Sequence, residues 1–265
     1  MSKEWKIKLV SLLTLLGTIG IIAIIPDRIT ALKNTLTNNK YYQISPEDIN
    51  VPLVVAIDTL ISIIFLFIQV LIGVRLQRRT GLRSPILESL VYKKRIPKIS
   101  KKWMIIGVLV TLVGTILIII LDSFVFTPLI DIHKDEIPVT KWWQGLLAMF
   151  YGGITEELML RLFIMTLIVW LLARITKKEK EGIPNSFYYI AIFLTALLFG
   201  LGHLPSNVQI LGEFSLIILI RTLVLNGLLG LWFGYLYWKK GLEYAMIAHM
   251  SADFFIHVLF MSIFY

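Results

Sequence analysis

Gly152-Gly153-Ile154-Thr155-Glu156-Glu157-Leu158-Met159-Leu160-Arg161 lies inside a run, 142–173, that is otherwise almost wholly apolar. At about 1.5 Å per residue this run is roughly 48 Å long as a helix, more than one bilayer crossing. Glycine weakens helix interiors, so Gly152-Gly153 is a plausible break or bend within it. A charge at mid-bilayer costs at least about 2.5–3.5 kcal/mol. Two adjacent carboxylates at that depth therefore need partners or a task.

Further apolar runs lie near 9–25, 51–74, 104–121, 187–204, 214–238 and 242–265. The chain has 265 residues, of which 57% are apolar and 16% charged, with a mean hydropathy of +0.80. A soluble domain carries about 45–50% apolar and about 25% charged residues, so a soluble globule and a disordered chain are both excluded. The expected fold is an all-α, polytopic transmembrane helix bundle of about seven spans, or eight if the long fourth run hides a re-entrant piece. The first run follows Lys3, Lys6 and Lys8 like a signal peptide, but no small-x-small cleavage site follows, and it is read as a retained span. With no cysteine, disulfides, iron–sulfur clusters and thiolate chemistry are excluded.

Basic residues set the orientation. Arg75, Arg78, Arg79, Arg83, Lys93, Lys94, Arg95, Lys98, Lys101 and Lys102 fall in one stretch opposed only by Glu88, and Arg174, Lys177, Lys178, Lys180, Lys239 and Lys240 follow later spans. With the N-terminal lysines they share one side, which the positive-inside rule makes cytoplasmic. The N-terminus is then inside and the C-terminus outside. The opposite loops carry Asp122, Asp131, Asp135 and Glu136. The net charge of +9 is thus read as topology and contact with the lipid bilayer, with no nucleic-acid partner. Ile86, Leu87, Leu90 and Val91 stand at the spacing of a short interfacial helix. Residues 1–140 form an N-terminal unit of three spans with the basic loop, and 141–265 a core of four or more spans.

The ionisable residues within spans are Asp58, Glu156, Glu157, Arg161, His203, Arg221, His249, Asp253 and His257. Most fall after residue 150, so the chemistry is sought there. Glu157 and Arg161 are four apart and share a helix face, which suits an ion pair. Glu156 points about 100° away from that face and is a candidate general base. The bland reading ties both glutamates to Arg161 and Arg221 as packing ions. Phe199 and His203 share a face, as do His249 and Asp253. His257 continues the latter face and is read as structural. Converged, these clusters supply carboxylates and imidazoles in a dry pocket, an inventory that suits activation of water by a general base or a bound metal. Counted from the cytoplasmic ends, His249 and Asp253 sit a turn or two shallower than Glu156 and His203, which strains convergence unless tilt absorbs it. HExxH, Gly-x-Ser-x-Gly, Gly-x-Gly-Asp and P-loop patterns are absent.

Glu-Glu-x-x-x-Arg at 156–161, Phe-x-x-x-His at 199–203 and His-x-x-x-Asp at 249–253, in that order, resemble the CPBP group of CAAX proteases and bacteriocin-processing enzymes, also called the Abi family, with the type II CAAX prenyl endopeptidases as eukaryotic relatives. The matching core runs from about 140 to 258, and the segment Gly230 to Gly241 shares the likeness. The resemblance implies an intramembrane, glutamate-dependent endopeptidase of metalloprotease type in a bacterial plasma membrane. It implies Glu156 as general base assisted by His203, Glu157 and Arg161 holding the helix, and His249 with Asp253 at the oxyanion or a metal. His203 and His249 would then ligate a divalent metal such as zinc. The implied substrate is a peptide or protein, prenylated, membrane-anchored or a bacteriocin or leader precursor. The prenyl-protease branch usually has Asn where Asp253 stands. An ionised Asp cannot donate to an oxyanion, so Asp253 must be protonated, orient His249 or ligate a metal. The alternatives are a non-catalytic bacteriocin-immunity or scaffold protein on the same fold, and a proton-coupled transporter. The transporter lacks support from any inverted repeat.

Overall fold

A computed structural model describes residues 3–37, 48–93, 95–130, 141–211 and 214–260, and these are helical with short connections and no strand. Asp131, Asp135 and Glu136, read as an acidic outer loop, and Lys94 of the basic stretch lie outside the described residues, as do the side chains of Lys3 and Lys6. Nine helices follow in order: α1 (Lys3–Ala23), α2 (Ile25–Thr37), α3 (Val51–Thr80), α4 (Pro85–Val91), α5 (Lys101–Leu121), α6 (Trp142–Ile175), α7 (Asn185–Leu211), α8 (Leu216–Lys239) and α9 (Leu242–Phe254). A π-helical turn, Phe255–Phe260, continues α9.

Local chemistry sets several ends. Asn50 caps α3 through a 3.1 Å bond from Leu53 N to Oδ1, and Gly81, at φ +76°, stops it in the left-handed conformation that suits glycine. Ser215 caps α8 by accepting from Ile218 N. α1 and α2 meet at a bend of 46° beside Pro26. Proline there removes a helical N–H and crowds the preceding turn.

Five helices, α3, α5 with its extension to Leu129, α6, α7 and α8, are long and apolar enough to cross a membrane, or six if the bent α1–α2 pair forms one span. The sequence suggested about seven. The first run counts only as part of the bent pair, and the last extends past the described residues: its helix α9 carries Glu243, His249 and Asp253 and buries most of its residues inside the bundle.

α6 continues through Gly152-Gly153 without the expected break. It instead widens into π-helical turns at Tyr151–Glu156 and Leu158–Met165. The Thr166 hydroxyl bonds the Arg161 carbonyl at 3.1 Å where the winding returns to α. The glycines serve close approach. A Cβ on Gly152 would collide with the Asp253 carboxylate, and one on Gly153 with Met250, including its backbone N at 3.0 Å. α1 and α3 press on other faces of α6, with Gly20 against the Phe150 carbonyl and Gly73 against that of Leu162. α7 and α8 pack through Gly200, Gly230 and Gly234. Small residues at such contacts let helix backbones approach where no hydrophobic force drives them together.

The basic stretches converge at one end of the bundle. There Leu242 N bonds Arg83 O at 3.0 Å, Tyr188 OH bonds Thr80 O at 2.6 Å, and the Lys240 ammonium lies 3.9 Å from the Trp103 ring centroid. α4 is the short helix expected there. Glu243 Oε1, from α9, accepts from Ile86 N and Leu87 N of α4 at 2.8 Å each.

Candidate active site

α6, α7, α8 and α9 bring the three motifs together. Arg161 and Glu157, both 0% exposed, form the expected ion pair at 3.1 Å. Arg161 also donates from Nη2 to the Gly230 carbonyl of α8 at 2.9 Å, and its guanidinium carbon lies 5.4 Å from the Phe199 ring centroid and 5.5 Å from that of Phe233. Charge, a carbonyl dipole and two ring faces together replace the water that a buried guanidinium gives up.

Glu157 has a second partner that the sequence reading did not give it. Its Oε1 lies 2.8 Å from His249 Nδ1. A carboxylate only accepts, so Nδ1 carries the proton and the tautomer is set. Glu157 thereby orients the imidazole, a role the sequence had offered to Asp253. The ring is further held by stacking on Phe233 at 4.5 Å and by the edge of Phe199 at 5.4 Å. His249 Nε2 then faces Glu156 Oε2 at 3.7 Å and Asp253 Oδ1 at 3.8 Å, both beyond hydrogen-bond length.

The two glutamates are thus divided. Glu157 is buried and gives its Oε1 to both Arg161 and His249, its Oε2 having no hydrogen-bond partner, whereas the Glu156 side chain keeps 18% exposure. Asp253 Oδ2 is buried without a hydrogen-bond partner, directly over the space that a side chain at Gly152 would fill. His203, at the far end of the Phe199 contact, donates from Nδ1 to the Phe199 carbonyl at 2.9 Å, since a carbonyl can only accept. Arg221 is tied to Asp122 of α5's extension by two 2.6 Å bonds and does not neutralise either glutamate, which removes the arrangement in which both served as packing ions for Arg161 and Arg221. Asp58 pairs with Arg28. His257 lies with its carbonyl against Gly145, in keeping with a structural reading.

Phe199 packs against the imidazoles of both His203 and His249, and among the described residues no group of three or more His, Asp or Glu side chains is placed to hold an ion.

Residues 138–255 match a family model described as Rce1-like, type II CAAX prenyl endopeptidase. The matched segment spans α6 to α9 and contains all three motifs. Over this part the chain is similar to the type II CAAX prenyl endopeptidases. No curated protein and no solved structure matches the chain.

Proposed function

We propose that the chain is an intramembrane endopeptidase in which Glu156 activates water. The observation that carries this reading is the division of labour between the adjacent glutamates: one is fully buried with its Oε1 held by both Arg161 and His249, and the other is left partly accessible beside them. In the reaction, the Glu156 carboxylate takes a proton from water as its oxygen attacks the scissile carbonyl. The same carboxyl returns that proton to the leaving nitrogen when the C–N bond breaks, giving an acid and an amine. His203 assists in placing the water. His249, backed by the Glu157 carboxylate, offers Nε2–H to the oxyanion when it is doubly protonated, and a protonated Asp253 is the second donor beside it. No step is routed through a metal.

The substrate is a peptide or protein held in the membrane near the cytoplasmic leaflet. A prenylated C-terminus and a bacteriocin or leader precursor are the two classes to present, and a bacterial plasma membrane is the setting in which the reading places the enzyme. The test incubates purified protein with a prenylated CAAX peptide and a pool of leader peptides, beside Glu156→Gln, with and without chelator. Wild type is expected to cleave, and Glu156→Gln to fall about 10²–10⁴-fold. Cleavage undiminished in Glu156→Gln and His203→Ala would overturn the reading. Full activity in chelator is expected, and its loss would establish a metal requirement.

A further inference from the structure

On the face of α6 adjoining Glu156, away from α9, lies a second polar site. A cavity of about 210 Å³ opens between α1, α2, α3 and α6. Its lining includes Arg28, Ser62, Phe65, Gln69, Tyr151 and Thr155. Tyr151 and Thr155 precede Glu156 on α6. Phe65, at the rim, is 61% exposed on the lipid-facing side of α3. The cavity is therefore reachable sideways from the membrane.

Its hydrogen-bonding capacity is already partly assigned. Arg28 is engaged by Asp58 and by Ser62 Oγ at 3.1 Å. Thr155 donates to the Gly17 carbonyl at 2.8 Å. Two capacities are left. Gln69 Oε1 is buried with no hydrogen-bond partner. The Tyr151 hydroxyl, in the lining, carries an O–H that can donate. One acceptor and one donor in a low-dielectric cavity complement a neutral group that offers both. Arg28 is neutralised by Asp58, so an anionic ligand gains little charge attraction here, and an apolar one would leave Gln69 unsatisfied. The volume is below that of a drug-sized pocket, about 300–1,000 Å³, and suits one side chain with its peptide unit.

We infer that this cavity is a substrate subsite for an uncharged carboxamide residue, Gln or Asn, near the bond to be cut. The substrate N–H donates to Gln69 Oε1, and its C=O accepts from Tyr151. The inference deepens the endopeptidase reading and rests on it for its purpose, though the binding it claims can be read without catalysis.

The probes are dansylated apolar membrane peptides, one all-leucine parent and a set with a single Gln at successive central positions. Their affinity is measured in detergent for full-length Glu156→Gln, which blocks turnover, and for the same protein carrying Gln69→Leu or Tyr151→Phe. At least one Gln peptide is expected to bind about tenfold more tightly than the parent, the worth of one good hydrogen bond. That gain should vanish with Gln69→Leu and shrink severalfold with Tyr151→Phe, which removes one oxygen and leaves the packing intact. A gain that survives both changes, or no Gln peptide exceeding the parent, overturns the subsite. The same peptides are then given to the wild type. Selective binding without cleavage would leave the subsite standing and sink the peptidase reading, and cleavage without selective binding would do the reverse.

Discussion

Arg161 and Glu157 hold each other at a depth where neither could remain charged alone. Removing one partner of a buried pair leaves an uncompensated charge, at a cost of about 3–5 kcal/mol, whereas replacing both with apolar residues of similar size is often nearly neutral. Arg161→Leu should therefore lower the thermal unfolding midpoint in detergent markedly, and the double variant Glu157→Leu/Arg161→Leu should recover most of the loss. Activity should not recover with it, because the double variant frees His249 Nδ1 from the carboxylate 2.8 Å away that orients it. A double variant that regains both stability and cleavage would show that Glu157 has no part beyond the ion pair. The pair itself was legible in the sequence, since four-residue spacing on a helix leaves little choice. The bond to His249 was not. Nothing in the spacing tells which face of a distant helix will arrive, and Asp253, four residues from His249, was the nearer candidate on paper.

At the scale of the helix, the contact of α6 with α9 decides whether the site exists. Counting residues at a fixed helical rise set His249 and Asp253 too shallow to meet Glu156. The structure brings them together because α6 is wound wider from Tyr151 to Met165, so that its residues advance less along the axis per turn, and because Gly152 and Gly153 let α9 sit directly on its backbone. Periodicity marked both glycines as weak points but could not show that the vacant volume was already taken. Gly153→Ala should destabilise the protein by about 1–3 kcal/mol, the usual cost of overpacking, and Met250→Ala should relieve part of it by withdrawing the side chain that the new methyl strikes. No relief in the double variant would mean that backbone contact with α9 governs. Glu243 makes a parallel case at the basic end. Glu243→Ala removes the acceptor of two α4 amides and should cost about 0.5–2 kcal/mol, as for a lost N-cap. Hydrogen exchange should quicken at Ile86 and Leu87 while α7 and α8 stay protected, and uniform acceleration would argue against a local cap.

For the whole molecule, the positive stretches that follow α3, α6 and α8 meet at one end of the bundle, joined by contacts among Arg83, Glu243, Thr80, Tyr188, Trp103 and Lys240. Composition alone had grouped them on one side of the membrane, and the bundle gives that grouping a physical basis, since helices that share an end share a leaflet. On the positive-inside rule this end is expected to be cytoplasmic and the Lys141 end of α6 outward, which labelling tests. The chain contains no cysteine, so single cysteines can be read without background. In right-side-out vesicles, Lys98→Cys and Lys178→Cys should resist a membrane-impermeant maleimide until the vesicles are opened, and Lys141→Cys should react at once. The same labelling separates the five- and six-span arrangements. If the bent α1–α2 pair crosses the membrane, a cysteine at Lys8 is protected and one at Lys33 reacts. If the pair only lies along the bundle, the two behave alike. Reaction of Lys98→Cys in closed vesicles would invert the molecule, and would place the basic end, with any substrate expected at the inner leaflet, on the wrong side of the membrane for the proposed chemistry.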